Sequence, residues 1–226
     1  MTFAKIQDVQ FSPDQVGIAI SHSLFDGGHI GLCFHAGKNG PHLLHLAWHR
    51  TMRVEAIPSD INICWVADII DIPTSTAKQL VALIRFVSSR KASIGYGINL
   101  FKAKGSFDAN GMYTPPVGSD GLTCATFVVE VLRSAAIDLV DVSTWVHSQA
   151  NVIWGQGVVR ALEELGADAS HVASVKSNIN GFRMRPFEVA GAAQEANTSW
   201  PVNFQHAQTC AARAKQELLA YCYSQV

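Results

Sequence analysis

The sequence predicts an α+β fold, with strands concentrated in the first third of the chain and helices in the second half. Residues 28–35 and 41–49 alternate apolar and other side chains over short runs, which is the period of a strand. After position 124, apolar residues return at the spacing of one helical stripe. Residues 204–223 are alanine-rich and favour a further helix. We therefore expect a sheet built early in the chain and helices that follow it.

Length and composition bound the organisation of the chain. Its 226 residues, 48% of them hydrophobic, can bury one sizeable core. We expect a single domain over residues 1–226, with a mostly helical C-terminal extension over about 150–226. Helices are predicted there over 156–165, 186–196 and 204–223. This extension could pack on the sheet, cap a cleft or offer a surface to a protein partner, and its sequence does not choose among these roles.

Charge and cysteine content exclude some function classes and indicate a location. The 17 Lys and Arg residues balance 18 Asp and Glu residues, so the chain has no general attraction for nucleic acid or an anionic membrane. No apolar run is long enough to span a membrane, and the first residues lack the apolar core of a secretory signal. The five cysteines are widely spaced, which fits a reducing compartment. We expect a cytoplasmic protein, although export without an N-terminal signal would leave the same sequence.

Two histidine-rich segments are the first candidates for chemistry. Residues 28–35 and 41–49 flank a turn that contains glycine and asparagine, so the pattern favours a hairpin carrying five of the nine histidines. A period of two places His29 on one face of the first strand, and His45 with His49 on one face of the second. His29 and His45 could therefore be neighbours.

Cys124 is the candidate nucleophile. It follows the polar, glycine-marked turn at 121–123 and opens a stretch in which Phe127, Val128 and Val131 lie on one apolar stripe. On the first turn of a helix, unpaired backbone N–H groups and the helix dipole favour a thiolate over a thiol. The alternative is a small buried apolar residue, which is the usual role of an unpaired cysteine.

Scaffolding elements are predicted between the hairpin and Cys124. Residues 61–66 and 93–100 have the composition of strands. A helix between them carries Leu80 and Ile84 on its apolar stripe. The stretch Lys104–Asp120, rich in glycine and proline, favours a long loop that could border a cleft and gate substrate.

The chain resembles a known superfamily in three short motifs. They are His29-Ile30-Gly31-Leu32-Cys33-Phe34, then His45-Leu46, and much later Thr123-Cys124-Ala125-Thr126-Phe127-Val128. These motifs are similar to those of the circularly permuted papain-like cysteine hydrolases, the NlpC-related and lecithin:retinol acyltransferase-like superfamily, in which the histidine precedes the cysteine. The resemblance covers about residues 15–137, taken as the domain core. It implies a permuted papain-like fold, with an antiparallel sheet and a helix that carries the catalytic cysteine.

The resemblance also implies catalytic roles. Cys124 would be the nucleophile, His29 the general base, and His45 the residue that orients the base. His49, four residues further along the same face, is the alternative orienting residue, and Tyr96 could add a hydroxyl near the thiol. The expected activity is hydrolysis of a peptide or isopeptide amide through an acyl-enzyme, without a metal or cofactor. Cleavage of an acyl-lipid or thioester, or acyl transfer, is the second choice on the same site.

Two further classes compete with a cysteine hydrolase. A zinc hydrolase could use the clustered histidines, because three imidazole ligands with one open position suit catalysis. Against zinc, no carboxylate lies between Asp26 and Glu55, and no paired-cysteine motif is present. A non-catalytic binding module that keeps the fold would turn His29 away from Cys124 or fill the cleft with side chains.

Overall fold

The protein is described by a computed structural model over residues 2–23, 28–61 and 63–223, with the backbone alone at Tyr223. These residues form a six-stranded antiparallel sheet with the order β1-β6-β2-β3-β4-β5. The strands are β1 (Ala4–Lys5), β2 (Val16–Ser21), β3 (His29–His35), β4 (Pro41–Trp48), β5 (Thr51–Ala56) and β6 (Trp65–Ile69). The predicted α+β class and the predicted β3–β4 hairpin are confirmed.

Six α-helices accompany the sheet in the described part of the chain. They are α1 (Thr74–Arg90), α2 (Cys124–Ser134), α3 (Gln149–Glu164), α4 (Ala169–Ser177), α5 (Pro186–Ala193) and α6 (Phe204–Tyr223). The helix predicted to follow Cys124 and the alanine-rich C-terminal helix are both confirmed.

The two faces of the sheet bury two separate cores. Ile18, Ile30 and Leu44 belong to the larger core, and α1, α2 and α5 pack against strands on this side. Cys33 and Leu43 point the other way, into a smaller cluster completed by the N-terminal segment. Because successive side chains of a strand alternate between faces, strands β3 and β4 contribute side chains to both cores. The sheet is therefore a rigid platform for side chains at its ends.

Helix α2 occupies the centre of the larger core. It packs on β3 and β4, and every residue from Cys124 to Leu132 is buried. The Thr123 hydroxyl accepts a hydrogen bond from the Thr126 N–H at 3.1 Å, and the Thr126 hydroxyl accepts one from the Thr123 N–H at 2.8 Å. This capping box fixes the start of the helix. Cys124 is thereby held at the first helical position.

Residues 94–98 run alongside the turn that leads into α2. The Leu122 N–H donates to the Gly95 carbonyl at 2.9 Å, and the Gly97 N–H donates to the Leu122 carbonyl at 3.2 Å. The predicted strand over 93–100 is thus extended chain that pairs with this turn and is not part of the sheet. A Cβ on Gly121 would strike the Gly95 backbone. Only glycine permits so close a crossing.

Two other predicted elements have wrong boundaries. The strand predicted over 61–66 lies further on, at β6, where pairing with β1 and β2 on both sides selects the apolar stretch beginning at Trp65. Asn62 lies outside the described residues. The helix predicted over 156–165 begins earlier, at Gln149, because the Ser148 hydroxyl accepts from the Asn151 N–H and caps it. Strands β1, β2 and β5 and helix α4 were not predicted.

The C-terminal extension packs on the sheet. Helix α5 contacts α2, β2 and β3, while α6 contacts α5 and β6. Helix α5 begins at the predicted Pro186 and ends at Ala193, before the predicted residue 196. Among the roles that the sequence left open, the structure therefore shows sheet packing.

The expectation of unpaired cysteines is wrong for one pair. Cys64, next to β6, and Cys222, near the end of α6, form a disulfide with a Cα–Cα distance of 5.9 Å. Sequence spacing could not reveal it because 158 positions separate the two residues. Disulfides are typical of oxidising compartments, so the cysteine content no longer favours the cytoplasm. None of the helices in the described part of the chain has the length and apolar character needed to cross a bilayer.

Candidate active site

The Cys124 sulfur lies at the junction of α2 and the start of β3. Its thiol is buried, and the backbone N–H of Ile30, the residue after His29, is near enough to it to favour the thiolate and oppose the rise in its pKa. The helix start and the strand start therefore meet at this sulfur. Cys124 and His29 line the same cavity.

A hydrogen bond joins the two histidines of the hairpin. His29 Nε2 lies 2.7 Å from His45 Nδ1, and the rings meet edge to face with centroids 4.8 Å apart. On its far side, His45 Nε2 lies 3.3 Å from Glu55 Oε2, an ion-pair distance at which the N–H is not aligned for a hydrogen bond. The structure thus brings His45 to His29 and adds a carboxylate behind it.

This chain of contacts assigns protons to the ring nitrogens. A carboxylate beside His45 Nε2 favours the hydrogen at that atom, so His45 Nδ1 is an acceptor. His29 Nε2–H is then the donor, and the remaining nitrogen of His29, Nδ1, carries a free electron pair. We infer that Nδ1 is the ring nitrogen of His29 left to accept a proton, and His29 lines the thiol cavity.

Gly31 and Trp65 hold the histidine pair in place. An ideal Cβ on Gly31 would lie 2.9 Å from the His45 Cβ and 2.8 Å from the Leu44 carbonyl oxygen, so the absent side chain leaves the space that His45 fills. The Trp65 ring packs edgewise on both imidazoles, at 5.4 Å from His29 and 5.5 Å from His45. The pair is therefore rigid as well as hydrogen-bonded.

The cavity in front of Cys124 has a volume of about 300 Å³. Its wall is largely aromatic and aliphatic, and comes from β4, the 94–98 segment and the C-terminal extension: Trp48, Tyr96, Trp154, Leu165, Met184 and Pro186. Arg183 is the cationic residue of the lining, buried with 6% of its surface exposed. The described lining includes no residue of the predicted gating loop Lys104–Asp120, so that expectation is wrong for this structure.

The resting thiol and imidazole are both neutral. Burial raises the pKa of Cys124 to about 11, although the N–H groups of Ile30 and Ala125 and the charge of Arg183 oppose the shift. Burial also lowers the pKa of His29 to about 3, helped by His45 and Arg53. The expectation that the helix start alone yields a thiolate is therefore wrong, because desolvation outweighs the N–H groups. The imidazole, however, is in its proton-accepting form across the physiological range.

We expect the free energy of unfolding to fall as pH drops from 7 to 4.5. Burial lowers the pKa of His29 to about 3 and that of His45 to about 4. Below the unfolded value near 6.5, the unfolded state binds protons that the folded state does not, so their stabilising contribution is present above pH 6.5 and lost below it. Between pH 7 and pH 4.5 the two histidines together lose on the order of 5 kcal/mol of this contribution. Urea unfolding at both pH values measures it.

The matched control for this pH effect is the double variant His29→Asn, His45→Asn. Asp120, whose pKa burial raises to about 6, titrates in both proteins and cancels in the comparison. A smaller loss of stability in the variant is expected. An equal loss would show that the histidine pair does not carry the effect.

His49, the alternative orienting residue, has a different environment. Its Nδ1 accepts a hydrogen bond from the Tyr96 N–H at 3.2 Å, and its ring packs on that of His171 at 4.3 Å. The Tyr96 carbonyl lies 3.2 Å from His171 Nε2. These two histidines hold the backbone of Tyr96, whose side chain lines the cavity beside Cys124.

A second, more polar cavity of about 460 Å³ shares His29 with the thiol cavity. It includes His29, His45 and Trp48, together with Arg53, Glu55 and Asp60. Cys124 does not line it. His29 and Trp48 thus line both the cavity that holds the thiol and the one that holds charged groups.

In the described residues, one group of three potential metal ligands occurs, and it lies outside the hairpin. Glu195, His206 and Cys210 present donor atoms within 4.8 Å of one another. Arg213 Nη2 already pairs with Glu195 Oε1 at 2.7 Å. A cation therefore occupies the carboxylate that a metal would need. The described histidines of the hairpin therefore form no three-ligand group of the kind that the zinc alternative requires.

Sequence reasoning missed several residues of the site. Glu55 lies on β5, which was not predicted, and alternation over 51–56 is the signal that could have placed it on the same face of β5 as Arg53, the residue opposite His45. Trp154 and Arg183 come from the C-terminal extension, and no local pattern connects them to Cys124. Their position follows from long-range packing alone.

No protein-family model, curated protein or solved structure shows significant similarity to the chain.

Proposed function

We propose that the protein is a cysteine hydrolase that cleaves an amide bond through an acyl-enzyme on Cys124. The observation that carries the proposal is the hydrogen bond between His29 and His45, which leaves the other ring nitrogen of His29, a residue lining the thiol cavity, able to accept a proton. A nucleophile, a base and a group that orients the base are the parts that such chemistry requires. His45, with Glu55 behind it, takes the orienting role.

The reaction would proceed in two balanced steps. In the first, His29 accepts the thiol proton as the sulfur bonds to the carbonyl carbon, and it returns that proton to the departing amine as the C–N bond breaks. In the second, His29 accepts a proton from water, whose oxygen bonds to the acyl carbon. The C–S bond then breaks, and the proton on His29 restores the thiol. The backbone N–H of Cys124, at the helix start, is the candidate donor to the oxyanion.

The second cavity supports a place for the leaving group. The group that receives a proton from His29 must lie beside His29, and the acyl carbon must lie beside Cys124. The polar cavity is lined by His29, and its carboxylates Glu55 and Asp60 suit an amine leaving group. The thiol cavity is lined by Cys124 and could hold the acyl carbon.

We propose that the fold is a permuted papain-like fold. The antiparallel sheet, the histidine on a strand and the later cysteine at a helix start support the resemblance.

A second candidate function, cleavage or transfer of an acyl-lipid or thioester, is favoured by one observation. The wall of the thiol cavity is mostly apolar and includes the exposed Leu165, as an acyl chain would require.

Trapping the acyl-enzyme tests the proposal and separates the two candidates. Matched amide, ester and thioester substrates with one acyl group would be mixed with the protein, and the mass of the Cys124 peptide measured after rapid acid quenching. We expect a hydroxylamine-sensitive acyl adduct on Cys124 with turnover of the amide. Adducts from the thioester alone would favour the second candidate. Absence of any adduct, with rates matching those of Cys124→Ala, would contradict both.

A further inference from the structure

Two histidines hold the main chain of Tyr96, a residue in the wall of the thiol cavity. The Tyr96 N–H donates to His49 Nδ1 at 3.2 Å, and the Tyr96 carbonyl lies 3.2 Å from His171 Nε2. The two imidazole rings pack on each other with centroids 4.3 Å apart. His49, Tyr96 and His171 together form what we term the histidine clasp. Neither histidine belongs to the described lining of the cavity, so the clasp acts on the cavity through the residue that it holds.

The end of β4 beside His49 is tied to the same segment. The Arg50 N–H donates to the Ile94 carbonyl at 2.8 Å. Trp48, the residue before His49, packs its ring on that of Tyr96 with centroids 4.4 Å apart, and both rings line the thiol cavity. The bond from Tyr96 to His49 therefore helps to fix where this aromatic wall stands relative to the thiol.

Helix α4 supplies the second half of the clasp. An ideal Cβ on Gly95 would lie 2.8 Å from His171 Cε1, so the glycine leaves the space that this ring fills. Asp168, the residue before α4, pairs with Arg50 Nη2 at 2.5 Å. The start of α4 is thereby tied to the turn after β4 as well as to Tyr96.

The hydrogen bond to Tyr96 exists in only one protonation state of His49. Because the Tyr96 N–H donates to Nδ1, that nitrogen must carry a free electron pair, and the hydrogen of the neutral ring lies on Nε2. A second proton would have to bind Nδ1, where it would face the Tyr96 N–H and replace the hydrogen bond by repulsion. His171 differs, because its Nε2–H faces a carbonyl and can donate to it in the charged ring as well. His49 is therefore the proton-sensitive half of the clasp.

Charged groups around the clasp set when His49 gains that proton. Burial lowers the pKa of His49 from 6.5, and the charges of His171 and Arg50 lower it further, while Asp168 opposes them. The clasp is thus intact at neutral pH and opens below pH 6.5. Asp120 also contacts the 94–98 segment, where its Oδ2 accepts a backbone N–H at 3.2 Å. Burial raises the pKa of Asp120 to about 6, so a test must separate its titration from that of His49.

We propose that the histidine clasp positions the wall of the thiol cavity for binding of the acyl group. While His49 is neutral, it holds Tyr96 beside the thiol and the acyl group binds tightly. When His49 gains a proton, its bond to Tyr96 breaks and the wall moves, which weakens acyl binding and leaves the reaction of His29 with Cys124 unchanged. This proposal rests on the proposed hydrolase, since it needs an acyl group in that cavity. His49 and His171 are then positioning residues.

Saturable labelling of Cys124 by N-benzylchloroacetamide separates binding from reaction. The benzyl group probes the aromatic wall, so KI, the concentration that gives half the maximal rate, measures its binding. The maximal rate, kinact, measures the reaction, in which the thiol proton passes to His29, the S–C bond forms, and chloride leaves with the electrons of the C–Cl bond. Both constants are read by mass spectrometry of the Cys124 peptide at pH 7.5 and pH 5, where circular dichroism confirms the fold.

We expect KI to rise about fivefold or more from pH 7.5 to pH 5, as loss of one hydrogen bond implies, with kinact nearly constant. His49→Asn should keep the low KI at both pH values, because its amide oxygen can accept the same N–H and does not titrate. His49→Phe has no acceptor and should show the high KI at both. His42→Asn is the matched control and should behave as wild type. Asp120 titrates in all of these proteins, so a rise in KI that persists in His49→Asn would overturn the proposal.

NMR of the wild-type protein observes the clasp without any reaction. A coupling across the hydrogen bond, between the Tyr96 amide nitrogen and His49 Nδ1, is expected at pH 7.5 and should vanish as His49 gains its proton. Absence of the coupling at pH 7.5, or its persistence while KI rises, would overturn the proposal and leave the hydrolase intact. Failure of Cys124 to react with the reagent would instead remove the proposed nucleophile, and this proposal with it.

Discussion

His29→Ala is expected to lower kcat/KM by about 10³-fold or more while leaving the fold unchanged. The substitution removes the base, and a thiol with a pKa raised by burial to about 11 does not ionise unaided at neutral pH. His42→Ala is the matched control, a histidine of the same hairpin whose Nδ1 contacts the Gly40 carbonyl and which does not line the thiol cavity. Steady-state kinetics with the substrate found by acyl trapping, beside circular dichroism, measure the effect.

His45→Asn should lose less activity than His29→Ala, about 10- to 100-fold, because it removes an orienting group and not the base. The pH profile distinguishes orientation from a purely structural role. If His45 orients the base, His45→Asn should change the acid limb of the pH–activity profile. If its role is purely structural, activity should instead fall by the same factor at every pH. Equal losses of activity in His29→Ala and His42→Ala would contradict the assignment of His29 as the base.

Gly121→Ala is expected to destabilise the protein by about 4 kcal/mol and to disrupt the site. Gly121 has a φ of +110°, a conformation that other residues rarely adopt, and an added Cβ would strike the backbone of Gly95. Backbone atoms cannot move aside as a flexible side chain can. The pairing of Leu122 with residues 95–97 would open, and Cys124 would lose its fixed position.

The matched control is Gly157→Ala, in helix α3, where an added Cβ meets nothing within 4 Å. This change should stabilise the protein by about 0.5–1 kcal/mol, since alanine favours the helix over glycine. Urea unfolding of both variants measures the difference. A Gly121→Ala protein as stable as the wild type would show that the close crossing is not present.

Local patterns predicted the parts of the site that depend on neighbouring residues. The alternation in β3 and β4 and the turn between them were enough to place His29 near His45, because strand period and turn chemistry act over a few residues. The polar, glycine-marked turn at 121–123 likewise indicated the start of α2. These signals needed no knowledge of the rest of the fold.

Long-range packing determined what the sequence could not show. Arg183 reaches the cavity through the segment before α5, and the Cys64–Cys222 disulfide joins positions 158 residues apart. The ionisation of Cys124 was also predicted wrongly from local rules, since the helix start favours the thiolate but burial by distant segments raises its pKa. Desolvation is a property of the assembled cavity and has no sequence motif.

The pH dependence of Cys124 alkylation by iodoacetamide, in wild type and His29→Ala, tests the central claim most directly. Between the lowered pKa of His29 and the raised pKa of Cys124, the imidazole and the thiol are both neutral, so a rate set by proton transfer from Cys124 to His29 during attack does not change with pH. We therefore predict a wild-type rate that is nearly constant from pH 5 to 8. The His29→Ala rate should be at least about 100-fold lower at pH 6 and rise about tenfold per pH unit. A wild-type rate that rises tenfold per unit and matches His29→Ala would contradict the pairing of His29 with Cys124.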